Sequence, residues 1–439
     1  MFEQKTLTRS LRITIMLSLI TLFFVFAPLI IMYTIGYRYD FKNKVITQTG
    51  VITIETEQKD VQVYIDDVYL NDKIPAYAPN LAPDNYQVRL QKDTYHTWQK
   101  NVIVRKKETT YINDINLVKT DVLESNDVIP LNKISQIYFS FDGRFTIQVK
   151  QLQDQVYEFI LVDNTNVLLE QAIMRTVSTY TPIVSWSPTK NSFVIETTAG
   201  ETTSIKVTDA KNTKLTHRYS YPETSSVNYH WSNNGIYLYH DNNIYNISPL
   251  QQTKVGQSTA SRFFVQDDKD IWQFSKKTFS FKKQSFNIKN GIEKIIYNDD
   301  ELLFIKTNSG ISIVNIKDST KEIHRIPTQN LIYSQETKKW ISWSPWEVWE
   351  IKSDGTPIFL NRFGKRIKDV AVLDELNLLA IAFDDGVYAY YPKYNVHIQL
   401  INEEVDAIAS LPNDKKLFIS HKKQTDTPIN KQEILFYNY

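Results

Sequence analysis

The run ITIMLSLITLFFVFAPLIIMYTIGY, residues 13–37, contains no charged side chain, and the rest of the chain is organised around it. As an α-helix rising ~1.5 Å per residue it would reach roughly 35 Å, enough to cross a hydrocarbon core ~30 Å thick with some tilt. Its Leu, Ile, Phe and Val side chains each favour insertion by a few tenths of a kcal/mol and together outweigh its few hydroxyl groups. Pro28 is tolerated in such a helix. The run therefore predicts a transmembrane helix.

Basic residues flank this run on both sides, so charge alone is only a weak indication that the N-terminus lies in the cytoplasm. A long domain after such a segment is translocated largely regardless of those charges. We therefore expect a short cytoplasmic tail over residues 1–12, an uncleaved signal anchor over 13–37, and the bulk of the chain outside the cytoplasm. The expected membrane-interface anchors are Arg9, Arg12, Tyr33, Tyr37 and Arg38.

Two other readings of the apolar run stay open. A cleaved signal peptide has a hydrophobic region of ~7–15 residues and a small-x-small exit site. Here the run is longer, and Ala27 is followed by Pro28. The remaining alternative is a buried helix in the core of a soluble protein.

The composition excludes several classes of function. The chain has 439 residues, 23% of them charged, and a net charge of +1, which gives no sign of the basic face that a nucleic-acid-binding protein needs. There is no cysteine, which excludes disulfides, thiolate metal sites, cysteine nucleophiles and a lipidated cysteine anchor. Many aromatic residues (26 Tyr, 22 Phe, 8 Trp) and only 11 Gly are typical of β-structure.

Short segments with period-two patterning follow a linker over residues 38–48. They are GVITIET, DVQVYID, NYQVRLQK, KNVIVRK and TTYINDINL. Each carries β-branched or aromatic residues at alternate positions and is bounded by turn residues. Five short strands in about seventy residues predict a small antiparallel β-sandwich over residues 49–118.

The order of motifs in this region resembles the PEGA domain, a small bacterial envelope module. The resemblance rests on a TG-initiated strand, VYID, LAPDNYQVRL and KDTYHTW, after a membrane segment that ends in YTIGYRYDF. It departs from the family where glycine is usual, at Asp67, at Asp84-Asn85 and at Asp93, although Asp and Asn tolerate left-handed turns. His96 and Trp98 follow the last of these turns, and we expect them to pack in the core or at an edge, with ligand contact as the alternative.

Residues 119–439 repeat one theme, in which a hydrophobic strand and a polar turn are followed by a second hydrophobic strand. The pre-turn residues are Phe141, Trp186, Trp231, Tyr297, Tyr333, Leu373 and Leu411. Their separations are 45, 45, 66, 36, 40 and 38 residues, close to the ~40–45 of a propeller blade except for one. This predicts an all-β, C-terminal β-propeller with seven blades, or with eight; another all-β solenoid or sandwich is the alternative.

Three further expectations concern this region. The long interval contains FFVQDDKDIWQF, interpreted as a degraded extra blade or a long loop. No helical periodicity appears after residue 37, so we expect almost no helix there. The ring should close by pairing Glu433–Tyr437 with a strand near Asp121–Leu123. The SWSP turns resemble those of TolB-like propellers, and the stretch LNRFGKRIKDVAV is similar to one late in PEGA–propeller proteins. Anchor, PEGA domain and TolB/WD40-like propeller together resemble an architecture of small-genome bacteria.

The sequence shows no catalytic signature. It has no G-x-S-x-G elbow, no phosphate-binding glycine loop, no H-E-x-x-H and no calcium loop spacing. All seven histidines are isolated, although His230 and His240 flank a hairpin turn and could approach each other as a metal pair; solvated strand positions are the simpler interpretation. The acid pairs 299–300 and 384–385 have turn spacing. We expect no catalytic residues, no metal and no cofactor.

Half of all tryptophans fall within ten residues, at Trp340, Trp343, Trp346 and Trp349. Tryptophan is typical of binding hot spots, so these four residues are a candidate recognition surface. The alternative is packing between blades, because Pro345 interrupts the strand.

These observations favour a single-pass membrane protein that binds or scaffolds partners at the outside of the bacterial cell envelope. The PEGA resemblance implies recognition of an envelope protein or a cell-wall glycan through the small domain and the propeller. The alternative is an envelope hydrolase or sensor with a site in the propeller channel. A signalling receptor is disfavoured, because about twelve cytoplasmic residues leave little room for an output domain.

Overall fold

The computed structural model describes residues 9–40, 44–71, 73–120, 134–165, 170–225, 227–233, 235–266, 269–275, 278–281, 284–288, 291–299, 301–317, 324–335, 337–376, 378–423 and 431–438. The chain divides into two compact units, Met1–Lys119 and Thr120–Tyr439.

The first unit begins with helix α1, Arg9–Thr34, which has no buried residue and contains Pro28. It begins four residues before the predicted start and ends three before the predicted end. Its end is set by Gly36, whose φ of +89° leaves the helical region. This helix is long and apolar enough to cross a membrane, and a signal sequence satisfies the same criterion.

Nine strands follow in the first unit. The residues expected to be a linker form a two-stranded hairpin, β1 (Tyr37–Asp40) and β2 (Val45–Gln48). A sandwich follows, with one sheet in the order β6 (Ala76–Leu81), β3 (Gly50–Thr56), β9 (Thr109–Ile115). Its other sheet has the order β5 (Val68–Asn71), β4 (Gln62–Ile65), β7 (Asn85–Gln91), β8 (Trp98–Ile103).

The sandwich differs from the sequence prediction in two ways. It is not wholly antiparallel, because β3 pairs in parallel with β9 while pairing antiparallel with β6. Two strands, β5 and β6, were not predicted. β5 has only four residues, and β6 contains Pro79, which a strand accepts at a sheet edge because proline has no N–H to donate. The inward positions form the core, which includes fully buried Ile54, Leu90 and Trp98. The expected packing role of Trp98 is therefore confirmed.

The second unit consists of small groups of antiparallel strands in chain order, two of which are joined by one parallel strand pair. We number seven of them as blades. Blade 1 is β10 (Ile134–Phe139), β11 (Phe145–Gln153), β12 (Val156–Asp163) and β13 (Glu170–Val177). Blade 2 is β14 (Ile183–Trp186), β15 (Ser192–Ala199), β16 (Thr202–Asp209) and β17 (Thr216–Pro222). Blade 3 is β18 (Asn228–Ser232), β19 (Gly235–His240), β20 (Asn243–Ile247) and β21 (Gln252–Gln257).

A further sheet then precedes the remaining blades. This interposed sheet is β22 (Phe263–Gln266), β23 (Asp270–Ser275), β24 (Thr278–Phe281) and β25 (Gln284–Asn287). Blade 4 is β26 (Ile292–Asn298), β27 (Leu302–Thr307), β28 (Gly310–Asn315) and β29 (His324–Ile326). Blade 5 is β30 (Asn330–Ser334), β31 (Lys339–Trp343), β32 (Glu347–Ile351) and β33 (Pro357–Arg362). Blade 6 is β34 (Ile367–Val372), β35 (Leu379–Phe383), β36 (Gly386–Tyr391) and β37 (Val396–Ile401). Blade 7 is β38 (Ala407–Leu411), β39 (Lys416–Lys423) and β40 (Lys431–Asn438).

The recurring turn after the first strand of a blade is held by a polar side chain. In blade 2 the backbone N–H of Lys190 donates to Ser187 Oγ at 3.2 Å, and in blade 6 the N–H of Leu378 donates to Asp374 Oδ1 at 2.9 Å. Such side-chain turns replace backbone pairing at strand ends. In blade 1 this position belongs to Ser140, so the pre-turn residue is Phe139 rather than the predicted Phe141.

Contacts between neighbouring blades run around a ring. Trp186 Nε1 donates to the Tyr138 carbonyl oxygen at 3.0 Å between blades 2 and 1, and Trp231 Nε1 donates to Ser185 Oγ at 2.9 Å between blades 3 and 2. Blades 4, 5 and 6 continue the series through shared hydrophobic clusters. The seven blades therefore form a propeller.

The ring is completed by two contacts of blade 7. The backbone N–H of Ile408 donates to Asp369 Oδ2 of blade 6 at 3.0 Å. Gly143 of blade 1, with φ +66°, lies so close to blade 7 that a Cβ there would be 2.1 Å from the Ser410 carbonyl oxygen. Blade 7 therefore lies between blades 6 and 1.

The interposed sheet explains the one long repeat interval. The first strands of blades 3 and 4 pair directly in parallel at Trp231–Tyr297 and Ser232–Asn298, so the sheet between them in sequence is not a member of the ring. It packs instead against both blades, through Phe263 against Tyr239 and through Phe264 in the cluster of blade 4. The stretch FFVQDDKDIWQF forms the first two strands of this sheet. Of the two sequence interpretations, a degraded extra blade therefore describes the stretch better than a long loop does.

The predicted closure of the ring involves two segments, of which the structure describes only the C-terminal one. β40 pairs antiparallel with β39 as the third strand of blade 7. Its expected partner near Asp121–Leu123 lies outside the described residues. Within the part of the chain that the structure describes, the only helix after α1 is a single 3-10 turn at Pro412–Asp414, as predicted.

Candidate functional site

The four clustered tryptophans do not share one exposed surface. Trp340 is 3% exposed and packs against the rings of Tyr297 and Phe304, at centroid distances of 5.2 and 4.8 Å. Trp343 is also buried, in the cluster between blades 5 and 6. The recognition hypothesis is therefore wrong for these two residues, which are core.

The physical reason lies in the position of β31 within its blade. A middle strand has a neighbouring blade on each face, so both faces are buried and the inside–outside alternation disappears. Trp349, on β32, is half-buried and packs edge-on against Phe359 at 5.1 Å. Trp346 lies in the turn between these strands and is 46% exposed. A recognition role stays a prediction only for Trp346 and the exposed edge of Trp349.

The two histidines proposed as a metal pair are each engaged elsewhere. His230 is buried, and its Nε2 lies 2.9 Å from Asn298 Oδ1. His240 Nδ1 lies 2.7 Å from the Tyr219 hydroxyl group, and its Nε2 lies 3.3 Å from Asp241. Among the described residues no group of three or more His, Cys, Asp or Glu side chains is arranged to hold a metal ion.

The predicted interface anchors lie at the two ends of α1. Arg9 is its first residue and Arg12 lies in its first turn. At the other end, the Arg38 guanidinium lies 3.6 Å from the centroid of the Tyr33 ring and donates to the carbonyl oxygens of Tyr33 and Tyr37, at 2.6 and 2.8 Å. The structure thus brings three of the five predicted anchors into one cluster.

The sandwich presents a surface that sequence reasoning did not single out. It is the outer face of the four-stranded sheet, which we call the amide-lined face. Its centre is formed by Gln62, Tyr64, Tyr69, Gln87, Arg89, Gln91, Gln99 and Asn101, and at one end the exposed Ile103 lies opposite Asn85. Strand register places these side chains in cross-strand rows, since Tyr64 pairs with Tyr69 and Arg89, Arg89 with Gln99, Gln62 with Gln91, and Gln87 with Asn101.

Contacts within the face hold its aromatic and cationic groups in place. The Tyr64 ring packs edge-on against the Tyr69 ring at a centroid distance of 5.6 Å. The Arg89 guanidinium group lies 4.5 Å from the centroid of the Tyr64 ring. Arg89 Nη2 also lies 2.8 Å from Asp67 Oδ1, which balances its charge. The Tyr64 hydroxyl group donates to Gln62 Oε1 at 3.1 Å. The result is a face of amides and flat rings in which the charge of Arg89 is paired with Asp67.

The sequence did contain a signal for this face. In β7 and β8 the amides Gln87, Gln91, Gln99 and Asn101 occupy the outward positions of the alternation, opposite the buried Val88, Leu90 and Trp98. The pattern showed which positions face outward. It did not show that two different strands place their amides in one patch, because that depends on register.

One family model matches part of the first unit. Residues 49–121 match the PEGA domain. No curated protein matches the chain.

Several solved structures are similar to this chain at low sequence identity. The β-propeller domain of Cps50 (Swd1) from Myceliophteria thermophila is 11% identical over 71% of this chain and 98% of that chain, with a TM-score of 0.42. The uncharacterized protein lmo1340 from Listeria monocytogenes EGD-e is 9% identical over 66% and 90%, with a TM-score of 0.38. Hsv2 from Kluyvelomyces marxianus is 12% identical over 68% and 96%, with a TM-score of 0.36.

The order and contacts of the blades, rather than these similarities, establish the propeller. The chain therefore contains a PEGA domain at residues 49–121, with an apolar N-terminal helix before it and a β-propeller after it.

Proposed function

We propose that this chain is a membrane-tethered binding protein of the bacterial cell envelope, which holds cell-wall glycan on the amide-lined face. In this proposal α1 is an uncleaved single-pass anchor, residues 1–12 are cytoplasmic, and both β units lie outside the cytoplasm. The propeller displays loops for further contacts, and the protein carries out no catalysis.

The amide-lined face is the observation that carries the proposal. Each side-chain amide offers both donors and an acceptor, which suits the hydroxyl and acetamido groups of a neutral sugar polymer. The Tyr64 and Tyr69 rings provide flat apolar surface with a polar edge. Neighbouring strands lie ~4.8 Å apart, a spacing comparable to the length of one sugar residue. Because the groups stand on paired strands, their positions are preorganised for an extended ligand.

Binding to insoluble peptidoglycan tests the proposal. The full chain in lipid nanodiscs is mixed with purified peptidoglycan, and the pelleted fraction gives an affinity. In the variant Gln99→Ala/Asn101→Ala, loss of two hydrogen bonds at ~0.5–1.5 kcal/mol each should weaken binding about tenfold. The matched control is Tyr111→Ala, an exposed aromatic residue on the other sheet, which should bind like the parent.

Three outcomes would contradict parts of the proposal. Equal binding by the double variant and the control would remove the face from recognition. If the parent chain does not bind glycan but is cross-linked to an envelope protein through this face, the partner is a protein. Shortened glycan after incubation would favour the hydrolase alternative. Orientation is tested separately, because protease added to intact cells should digest the propeller.

A further inference from the structure

The segment between α1 and the sandwich is a two-stranded hairpin with apolar side chains exposed. β1 and β2 pair antiparallel, with Tyr39 opposite Ile46 and Asp40 opposite Val45. Tyr39, Val45 and Ile46 are 50%, 51% and 59% exposed. An isolated two-stranded hairpin is at best marginally stable in water, and exposed apolar side chains do not help it. This hairpin therefore needs another surface to cover it.

The two faces of the hairpin are different. Because successive side chains point to opposite faces, Tyr39 and Ile46 share one face while Thr47 lies on the other. On that second face Thr47 is buried within its unit and only Val45, next to the turn, is exposed, whereas Tyr39 and Ile46 are both exposed. The uncovered face is thus the one that turns away from the rest of the unit.

Both ends of the hairpin are fastened to the end of α1. The Gly36 carbonyl oxygen accepts hydrogen bonds from the backbone N–H and the hydroxyl group of Thr49, at 2.9 and 3.1 Å. The strands leave this point after Gly36 and return to it at Thr49, so the hairpin cannot move away from the helix terminus. The Thr49 carbonyl oxygen in turn accepts a hydrogen bond from the sandwich, from the backbone N–H of Lys107 at 3.1 Å.

The depth of this point follows from the helix. A helix of 26 residues is roughly 39 Å long, which exceeds a ~30 Å hydrocarbon core, so its last turn reaches the headgroup layer. Tyr33 and Arg38 stack there, as aromatic and basic side chains do at membrane interfaces. Tyr37, whose carbonyl oxygen accepts a hydrogen bond from Arg38, lies on the same face of β1 as Tyr39, so this cluster adjoins the uncovered face.

We propose that the hairpin is a membrane-interface element, and that the partner of its Tyr39–Ile46 face is the bilayer itself, at the boundary of headgroups and acyl chains. Partial immersion of apolar groups at this depth is the usual mode of interfacial binding. The hairpin then holds the sandwich close to the membrane surface instead of leaving it on a free tether. The inference depends on the proposed anchoring by α1.

Site-directed spin labelling tests it, and the chain suits the method because it has no cysteine. Ile46→Cys, Phe24→Cys and Val68→Cys are each labelled with a nitroxide in the full chain in liposomes. Phe24 lies in the middle of α1 and Val68 at the edge of the sandwich; both are 70% exposed. Collisions with oxygen report lipid, and collisions with a water-soluble nickel chelate report water.

The expected ratio of oxygen to nickel collisions is highest for the label at position 24, intermediate at 46 and lowest at 68. If the label at 24 is itself aqueous, the proposed anchoring fails. A label at 24 in lipid with labels at 46 and 68 equally aqueous would overturn the hairpin inference alone. Dipolar broadening between labels at 46 would show that a second copy of this chain covers the face, which would overturn it too.

Discussion

His230 makes the stability of the propeller depend on pH. The residue is 5% exposed, and it lies where blade 3, blade 4 and the interposed sheet meet. Burial lowers its pKa from 6.5 to about 4, partly offset by the hydrogen bond with Asn298. The Asn298 amide nitrogen donates to the Val265 carbonyl oxygen at 2.7 Å, so its Oδ1 faces the ring and His230 Nε2–H is the donor.

The sign of the effect follows from proton counts. Between pH 4 and 6.5 the unfolded chain holds more protons on this histidine than the folded one, so the free energy of unfolding falls as the pH is lowered. With these two pKa values the loss at pH 5 relative to pH 8 is about 2 kcal/mol. The loss of stability is nearly complete at the pKa of His230 in the folded state, about 4.

Denaturant unfolding of the full chain in detergent measures this loss. Tryptophan fluorescence reports mainly the propeller, because only Trp98 of the eight tryptophans lies before residue 120. His230→Gln keeps a donor near the position of Nε2 but cannot titrate. The parent should lose about 2 kcal/mol more than this variant between pH 8 and pH 5. Equal losses in both proteins would refute the assignment of a buried, neutral imidazole.

Three further predictions concern packing. Trp340→Ala should reduce the free energy of unfolding by about 3–5 kcal/mol, because a fully packed ring is removed, while Trp346→Ala in the exposed turn should change it by about 0.5 kcal/mol or less; similar losses would contradict the burial difference. Gly143→Ala should lower the melting temperature, because its Cβ would overlap the Ser410 carbonyl oxygen at the junction of blades 7 and 1; an unchanged value would refute that contact. Deletion of residues 432–439 removes nearly all of the third strand of blade 7 and should destabilise the whole propeller, as seen by calorimetry; an unchanged melting temperature would refute this role in closure.

Local sequence pattern was sufficient for the long helix and for most of the strands, but it missed β1, β2, β5 and β6. A run of 25 uncharged residues can only be a long apolar helix, and period-two alternation bounded by turn residues is specific to strands. The spacing of pre-turn residues such as Trp186 and Trp231 also indicated blades, because each blade repeats one side-chain-held turn. These features depend on neighbours within a few residues, so the sequence contains them directly.

Long-range contacts decided the rest. Trp340 is a core residue because blades lie on both sides of β31. The interposed sheet stays out of the ring because Trp231 pairs with Tyr297, sixty-six positions later in the chain. The amide-lined face likewise exists only because register brings Gln87 beside Asn101. Burial and register arise from surfaces that meet after folding, and no local window of the chain contains that information.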